Sequence, residues 1–438
     1  MTILVEPKKH LQKLKKTTKN LHFMQLEKLS IGIGDRFSHQ GEAQLRAIMK
    51  ANDKGLSISP VWNKSNREHQ LVHTVPTDVR NEADAAVKAL GFKGKYFVDA
   101  DHINMNTVAP FVDCSDFFTL DVAAYIGKES SPEDVKAFVA SCANYMGEFQ
   151  VPGMDHPMHV TEAVLENIAG KFLAATTQAS EIYNFLVGKK GAGNFITEVS
   201  MDEVESPQTP IDMLFILKML ADKGVPAQTI APKFTGRFNK GVDYRGDLKQ
   251  FAKEFEEDVL VIDFAVKEFG LPKELKLSIH SGSDKFSIYP IMAEVIKKHD
   301  KGLHLKTAGT TWLEEVIGLA KAGGEALELA KSIYIDALGR KDELCGPYAD
   351  VIDIDSSKLP TPAEVKAWDS EKYVNTLTHI QENPDYNVNF RQLIHVSYKL
   401  AAEQGPVYYG LLEKYADIIG ACVEENIYER HFKRIFNL

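Results

Sequence analysis

Cysteine is scarce: Cys114, Cys142, Cys345 and Cys422 are spread through 438 residues with no Cys-x-x-Cys pair. That spacing supports neither a disulfide framework nor a thiolate zinc site, so buried free thiols are expected. No stretch supplies the roughly 20 largely apolar residues that a membrane helix requires. The start, MTILVEPKKHLQKLKK, has too short an apolar run for a secretory segment and continues into charge, so a cytosolic (cytoplasmic) protein is expected. Positive charge is in deficit, 51 Lys+Arg against 61 Asp+Glu, a net −10. With no basic stripe and no recognisable reading motif, neither a nucleic-acid nor a membrane partner is expected. Nucleotide signatures are missing too: HSGSDKFS lacks the P-loop spacing and GIGDRF lacks the full dinucleotide fingerprint. Low-complexity linkers, convincing repeats and sharp composition boundaries are also absent.

What is present is enough apolar residue, 44%, to fill a large core. Short β-rich runs alternate with helical lengths. Candidate strands lie at 29–34, 56–62, 95–101, 117–123, 194–200, 226–232, 275–281 and 302–308. Eight such runs separated by helices predict a parallel sheet closed into a TIM (β/α)8 barrel. Ser131, Pro132 and Asp134 read as cap, N1 and N3 of one intervening helix, and Thr361, Pro362 and Glu364 repeat the pattern farther on. The stretch 235–270 reads as an exposed loop followed by a helix. Beyond the eighth run the pattern is helical, giving a barrel over 1–360 and an extended helical C-terminal region, 361–438, packed on it.

Ionisable residues gather where the candidate strands finish: Asp99, Asp101 and His102; Glu198, Asp202 and Glu203; His280, Ser281, Asp284 and Lys285; His304 and Lys306. The carboxyl ends of barrel strands converge on one mouth, so residues distant in sequence can build one small-molecule site there. His102, His280 and His304 can supply three imidazoles to a divalent cation, with Mn, Co, Ni, Zn and Fe all compatible. Asp101 and Glu203 can act as base and acid beside a metal-held substrate. Asp99, Asp202 and Glu205 compete for those roles, because a one-residue shift along a strand reverses its face, and any of these carboxylates can instead cap a helix or face water. Arg36, Lys233, Lys285 and Lys306 are candidate clamps for an anionic or hydroxyl-rich ligand, with Ser281 and Asp284 in the same Gly-containing loop. Arg237, Lys240 and Arg245 form a basic loop able to close over an anion or simply to be solvated. His156 and His159 can share a helix face or belong to a loop, and Tyr408 and Tyr409 read as packing.

YFVDADHIN, TEVSMDEVESPQ, KLSIHSGSDKFSIYP and LHLKTAGTTW together resemble the tagaturonate/fructuronate epimerase family, and the resemblance covers nearly the whole chain. It implies a metal-dependent isomerase of bacterial hexuronate catabolism that interconverts D-tagaturonate and D-fructuronate. Carried over residue by residue, it makes Asp101 the proton acceptor, Glu203 the proton donor, and His102, His280 and His304 the ligands. Neutral ketoses are alternative substrates. A related metal-dependent aldolase and a non-catalytic carbohydrate or uronate sensor are the other readings. The sequence leaves oligomeric state open.

Overall fold

The computed structural model describes residues 24–307, 309–436 and 438. The apolar start and basic leader lie outside the described residues, as does Ala308, the expected end of the eighth strand. Among the described residues no helix is long and apolar enough to cross a membrane.

Among the described residues ten strands follow one another: β1 (Leu29–Ile33), β2 (Ile58–Ser65), β3 (Phe97–Ile103), β4 (Phe117–Asp121), β5 (Gly147–Phe149), β6 (Met158–Val160), β7 (Ile196–Ser200), β8 (Thr229–Ala231), β9 (Lys276–His280) and β10 (Leu303–Lys306). Eight of them close a parallel barrel in the order β1-β2-β3-β4-β7-β8-β9-β10, with β10 returning to β1. These are the eight runs expected from sequence. The second strand is displaced, running on to Ser65, whose hydroxyl accepts from the Glu68 amide and starts the helix Asn66–Val72. The remaining two strands are an antiparallel hairpin that the sequence reading did not anticipate. It places His159 in β6 opposite Glu148, 2.6 Å away, rather than on a helix face.

The expected helix signals operate as written. Ser131 accepts from the Asp134 amide at the head of Pro132–Ser141, and Thr361 forms a capping box with Glu364. Such caps satisfy amides that the first helical turn leaves without partners, which fixes where each βα unit turns back.

The barrel interior is divided by polarity along its axis. Its lower end is plugged by Leu26, Val61, Phe97, Phe117 and Ile196. Above the plug the inward positions become polar: Ser30, His304 and Ser278 share one level by register, and Gly32, Lys306 and His280 share the level two residues higher. Inward side chains recur every second residue, so a two-residue step moves a group one layer toward the mouth without changing its face. The helical C-terminal region shares a core with the barrel: Ile31, Trp62 and Val98 belong to the same buried cluster as Phe390, Leu393, Tyr408 and Ile419. Tyr408 is packing, as expected, with its hydroxyl donating to Glu315 at 2.9 Å.

Candidate active site

A cleft of about 300 Å³ opens at the carboxyl ends of the barrel strands. Both Asp101 and His102 line it, although neighbours in a regular strand point to opposite faces. The pairing of β3 with β4 slips between Ala100 and Ile103, and His102 adopts φ 49°. This bulge with a left-handed residue turns two consecutive side chains into the same cleft.

His102, Asp202 and His280 bring one ligand atom each within 4.8 Å of one another. Nδ1 of His102 meets Oδ1 of Asp101 at 2.9 Å, and Nε2 of His280 meets Oε1 of Glu198 at 2.9 Å. The opposite nitrogens, Nε2 of His102 and Nδ1 of His280, are buried without hydrogen-bond partners. They face Oδ1 of Asp202 at 3.6 and 3.1 Å. A carboxylate on one ring nitrogen sets the tautomer that leaves the other with its lone pair, which is the arrangement a metal-binding imidazole needs. Two histidines and one carboxylate lining the cleft therefore fit a divalent cation.

Lys306 organises the floor. Its Nζ lies 2.8 Å from Asp99 Oδ2, Asp101 Oδ1 and Glu198 Oε1, and also donates to Thr119 Oγ1. Burial raises the Asp101 and Glu198 carboxyls, but Lys306 and the neighbouring histidines outweigh it and hold both well below the ordinary range. For Asp99 burial prevails over Lys306, and its carboxyl is pushed up to about 6. Burial lowers the His280 imidazole, yet Asp202 and Glu198 raise it to about 9, so a cation taking Nδ1 would displace the proton the ring otherwise holds. Asp202 is held well below its usual value, mainly by His280 and His102 against burial.

His304 is not in the three-residue group. It lies one layer beneath Lys306, fully buried, with Nδ1 bonded to Ser30 Oγ at 2.8 Å and its ring against Phe117. Burial pushes its imidazole down to about 3. Asp202, read from sequence as a competing acid, stands in the position expected of the third histidine. Asp99 is sealed beneath the cleft by Thr119 and Lys306.

Arg36, Glu203 and Lys306 line the cleft as expected. Arg36 is held by Glu68 at 3.2 Å and by the Tyr398 ring, 4.3 Å from its guanidinium carbon. Lys233, Ser281, Asp284 and Lys285 are not among the lining residues, and their placements have clear causes. Lys233 is fixed through its backbone to Gln208, and Ser281 donates to the Lys306 carbonyl at 2.7 Å. Asp284 is buried against Arg391 at 2.8 Å and His379 at 3.2 Å, where it anchors the C-terminal region. Lys285 is buried and bonded to Ser283 Oγ, and burial pushes its amine down to about 7.

Lys240, from the basic loop named in the sequence, also lines the cleft, and so do groups the sequence reading missed: Asn63, Thr107, Asp121 and His395. Asp121 ends β4 and carried the same strand-end signal as the others. His395 comes from the helix Val388–His395, in the C-terminal region, where no strand-end pattern could mark it.

The family model described as UxaE, tagaturonate epimerase, matches residues 2–435. The tagaturonate/fructuronate epimerase of Thermotoga maritima is 31% identical over 383 residues, spanning 84% of this chain and 72% of that protein. Among solved structures, the fructuronate-tagaturonate epimerase UxaE of Cohnella laeviribosi with one glycerol superposes with a TM-score of 0.78 at 24% identity, over 94% of this chain and 82% of that one. Its form with two glycerols gives 0.77 at 24% identity, over 98% and 85%. At that identity the structural likeness is one of fold.

Proposed function

The chain belongs to the tagaturonate epimerase family, and on that premise we propose that it interconverts D-tagaturonate and D-fructuronate in a metal-dependent reaction that inverts ketose carbon 4. The observation that carries this reading is the pair of imidazoles, each held by a carboxylate at one nitrogen and turning its free nitrogen toward Asp202. His102, Asp202 and His280 are the proposed ligands, and Mn, Fe, Co, Ni and Zn all suit that donor set. A cation there supplies Lewis acidity to substrate oxygens.

Carbon 4 is β to the ketone at carbon 2, so its hydrogen is not acidified as an α hydrogen would be. Retro-aldol chemistry avoids that difficulty. A base removes the proton from the carbon-4 hydroxyl, the bond between carbons 3 and 4 breaks, and its electron pair passes into the carbon-2 carbonyl as an enediolate. The aldehyde half rotates, the enediolate re-adds to its opposite face, and an acid on the other side gives its own proton to the new alkoxide; solvent then takes the base's proton and reprotonates the acid. Asp101 is ionised through its contacts with Lys306 and His102 and is the proposed proton acceptor. Glu203, on the cleft wall, is the proposed donor. Lys306 supplies positive charge in the floor beneath the developing enediolate.

The test is carbon-13 NMR of D-tagaturonate with metal-stripped protein, before and after adding Mn, Co, Ni or Zn in turn. Metal-dependent appearance of D-fructuronate is expected. No conversion by folded protein with verified metal occupancy would sink the assignment. Trapping of a labelled three-carbon aldehyde tests the carbon–carbon cleavage separately.

A further inference from the structure

One end of the cleft is built differently from the metal group. The loop after β9 passes through Gly282, at φ +65°, and the helix Gly309–Ala322 begins just after β10. These backbones approach so closely that a Cβ on Gly309 would stand 2.2 Å from the Gly282 carbonyl oxygen and 2.5 Å from Nε2 of His395. His395 is 3% exposed, and that Nε2 has no hydrogen-bond partner. A Cβ on Gly282 would meet Nζ of Lys240 at 3.4 Å. Two missing side chains, one ammonium, one unsatisfied imidazole nitrogen and a helix start therefore share one corner.

Its field favours an anion. The charged groups acting most strongly on His395 are Arg36, Lys240 and Arg391, all cations, followed by Lys285, whose amine carries its charge only below about pH 7. Arg36 and Arg391 are paired with Glu68 and Asp284, and Lys285 is bonded to Ser283. Lys240 has no ion pair among the described residues. The positive end of the helix dipole adds attraction for negative charge, and the loops after the seventh and eighth strands of such barrels are a recurrent place for anions.

Lys240 is held in place rather than loosely tethered. Its amide donates to the Val351 carbonyl at 2.7 Å, and the next amide, of Gly241, donates to Ser283 Oγ at 2.9 Å. Arg391 grips the Gly241 carbonyl. The C-terminal region thus contributes His395 and also fixes the loop that carries Lys240.

The geometry points to this corner as the subsite for the terminal carboxylate of the substrate, with Lys240 and His395 selecting acidic over neutral ketoses. The inference rests on the epimerase reading for the identity of the substrate but not for the existence of an anion subsite. The reach is suitable: Gly282 is two residues from the proposed ligand His280, so their Cα atoms lie at most about 7 Å apart. A six-carbon chain held at its ketone end can therefore present its other end to the corner.

The test uses D-galactonate, which has one carboxylate and no ketone, and galactitol, its uncharged counterpart. Calorimetric titration of the metal-loaded protein is expected to show galactonate binding about tenfold or more tighter than galactitol. Lys240→Met should remove that preference and Lys240→Arg should keep most of it. The ratio of kcat/KM for D-tagaturonate over D-tagatose should fall in parallel. His395→Asn is the second variant, read by the same preference should Lys240→Met fail to fold. Turnover of D-tagaturonate with a galactonate preference unchanged in both variants would overturn the subsite, as would inorganic phosphate binding about tenfold tighter than galactonate. Loss of the galactonate preference in a protein that never turns over D-tagaturonate would support the anion subsite and overturn the epimerase reading instead.

Discussion

Replacing Lys306 by Met gives the sharpest test of how the barrel mouth is held together. One ammonium, only 4% exposed, faces Asp99, Asp101 and Glu198 at 2.8 Å each. Methionine keeps the apolar stem up to Cε but leaves buried carboxylates without their counter-charge, a change that costs about 3–5 kcal/mol. For a chain of 438 residues the unfolding entropy is about 0.9 kcal/mol/K, so Tm should fall by about 3–5 °C. The fall should depend on pH. In the native protein Asp101 and Glu198 have carboxyls held below their unfolded values, so they contribute stability above about pH 4 that is lost as acid protonates them. Without Lys306, burial and mutual repulsion push these groups above their unfolded values, and their contribution becomes a penalty that grows as pH rises. Asp99, already pushed up to about 6, shows the direction. Thermal melts in chelator at pH 5 and pH 8, wild type beside variant, should therefore show the larger loss at pH 8. An equal loss at both, or a change below about 1 °C, would refute the account of Lys306 as the charge that holds the floor.

Elemental analysis should find about one equivalent of metal lost in His102→Gln, Asp202→Asn or His280→Gln and retained in His304→Gln; the reverse for His304 would restore it as a ligand. Glu198→Gln should weaken metal binding about 10- to 100-fold in competition with a chelator, since Glu198 orients His280 from behind. An unchanged affinity would remove that orienting role. Burial pushes the Lys285 amine down to about 7, so the unfolded chain binds more protons between that pH and 10.5, and the native protein gains stability as pH rises through this window. Lys285→Met lacks that gain, and paired melts should show the variant losing ground to wild type between pH 7 and pH 10. A difference independent of pH would mean that the lysine is charged in both states.

The sequence by itself determined the scaffold. Eight short β-rich runs separated by capped helices leave little alternative to a closed parallel barrel, because each run must be buried on both faces. It also placed the chemistry at one end, since His280 and Lys306 close their strands and Asp101 lies two residues from the end of its own, and those carboxyl ends converge. Period two put His304 and Lys306 on one inward face, but depth is invisible in a linear pattern: the barrel set Lys306 at the mouth and His304 a layer below, where Ser30 takes its ring nitrogen. Strand alternation would have sent Asp101 and His102 apart, and only the bulge at Ala100–Ile103 brings them together. Asp202 follows β7 in a loop, so its approach to two imidazoles depended on the loop's path. Asp284 reads as a ligand-binding group but is taken by Arg391 of the C-terminal region, Lys285 is buried against Ser283 of its own loop, and the C-terminal region delivers His395 to the cleft from more than a hundred residues downstream of His280. Local sequence carries periodicity and capping because these act between near neighbours. Layer depth, loop path and burial by a distant segment are set by contacts across the chain, so only the tertiary structure could decide them.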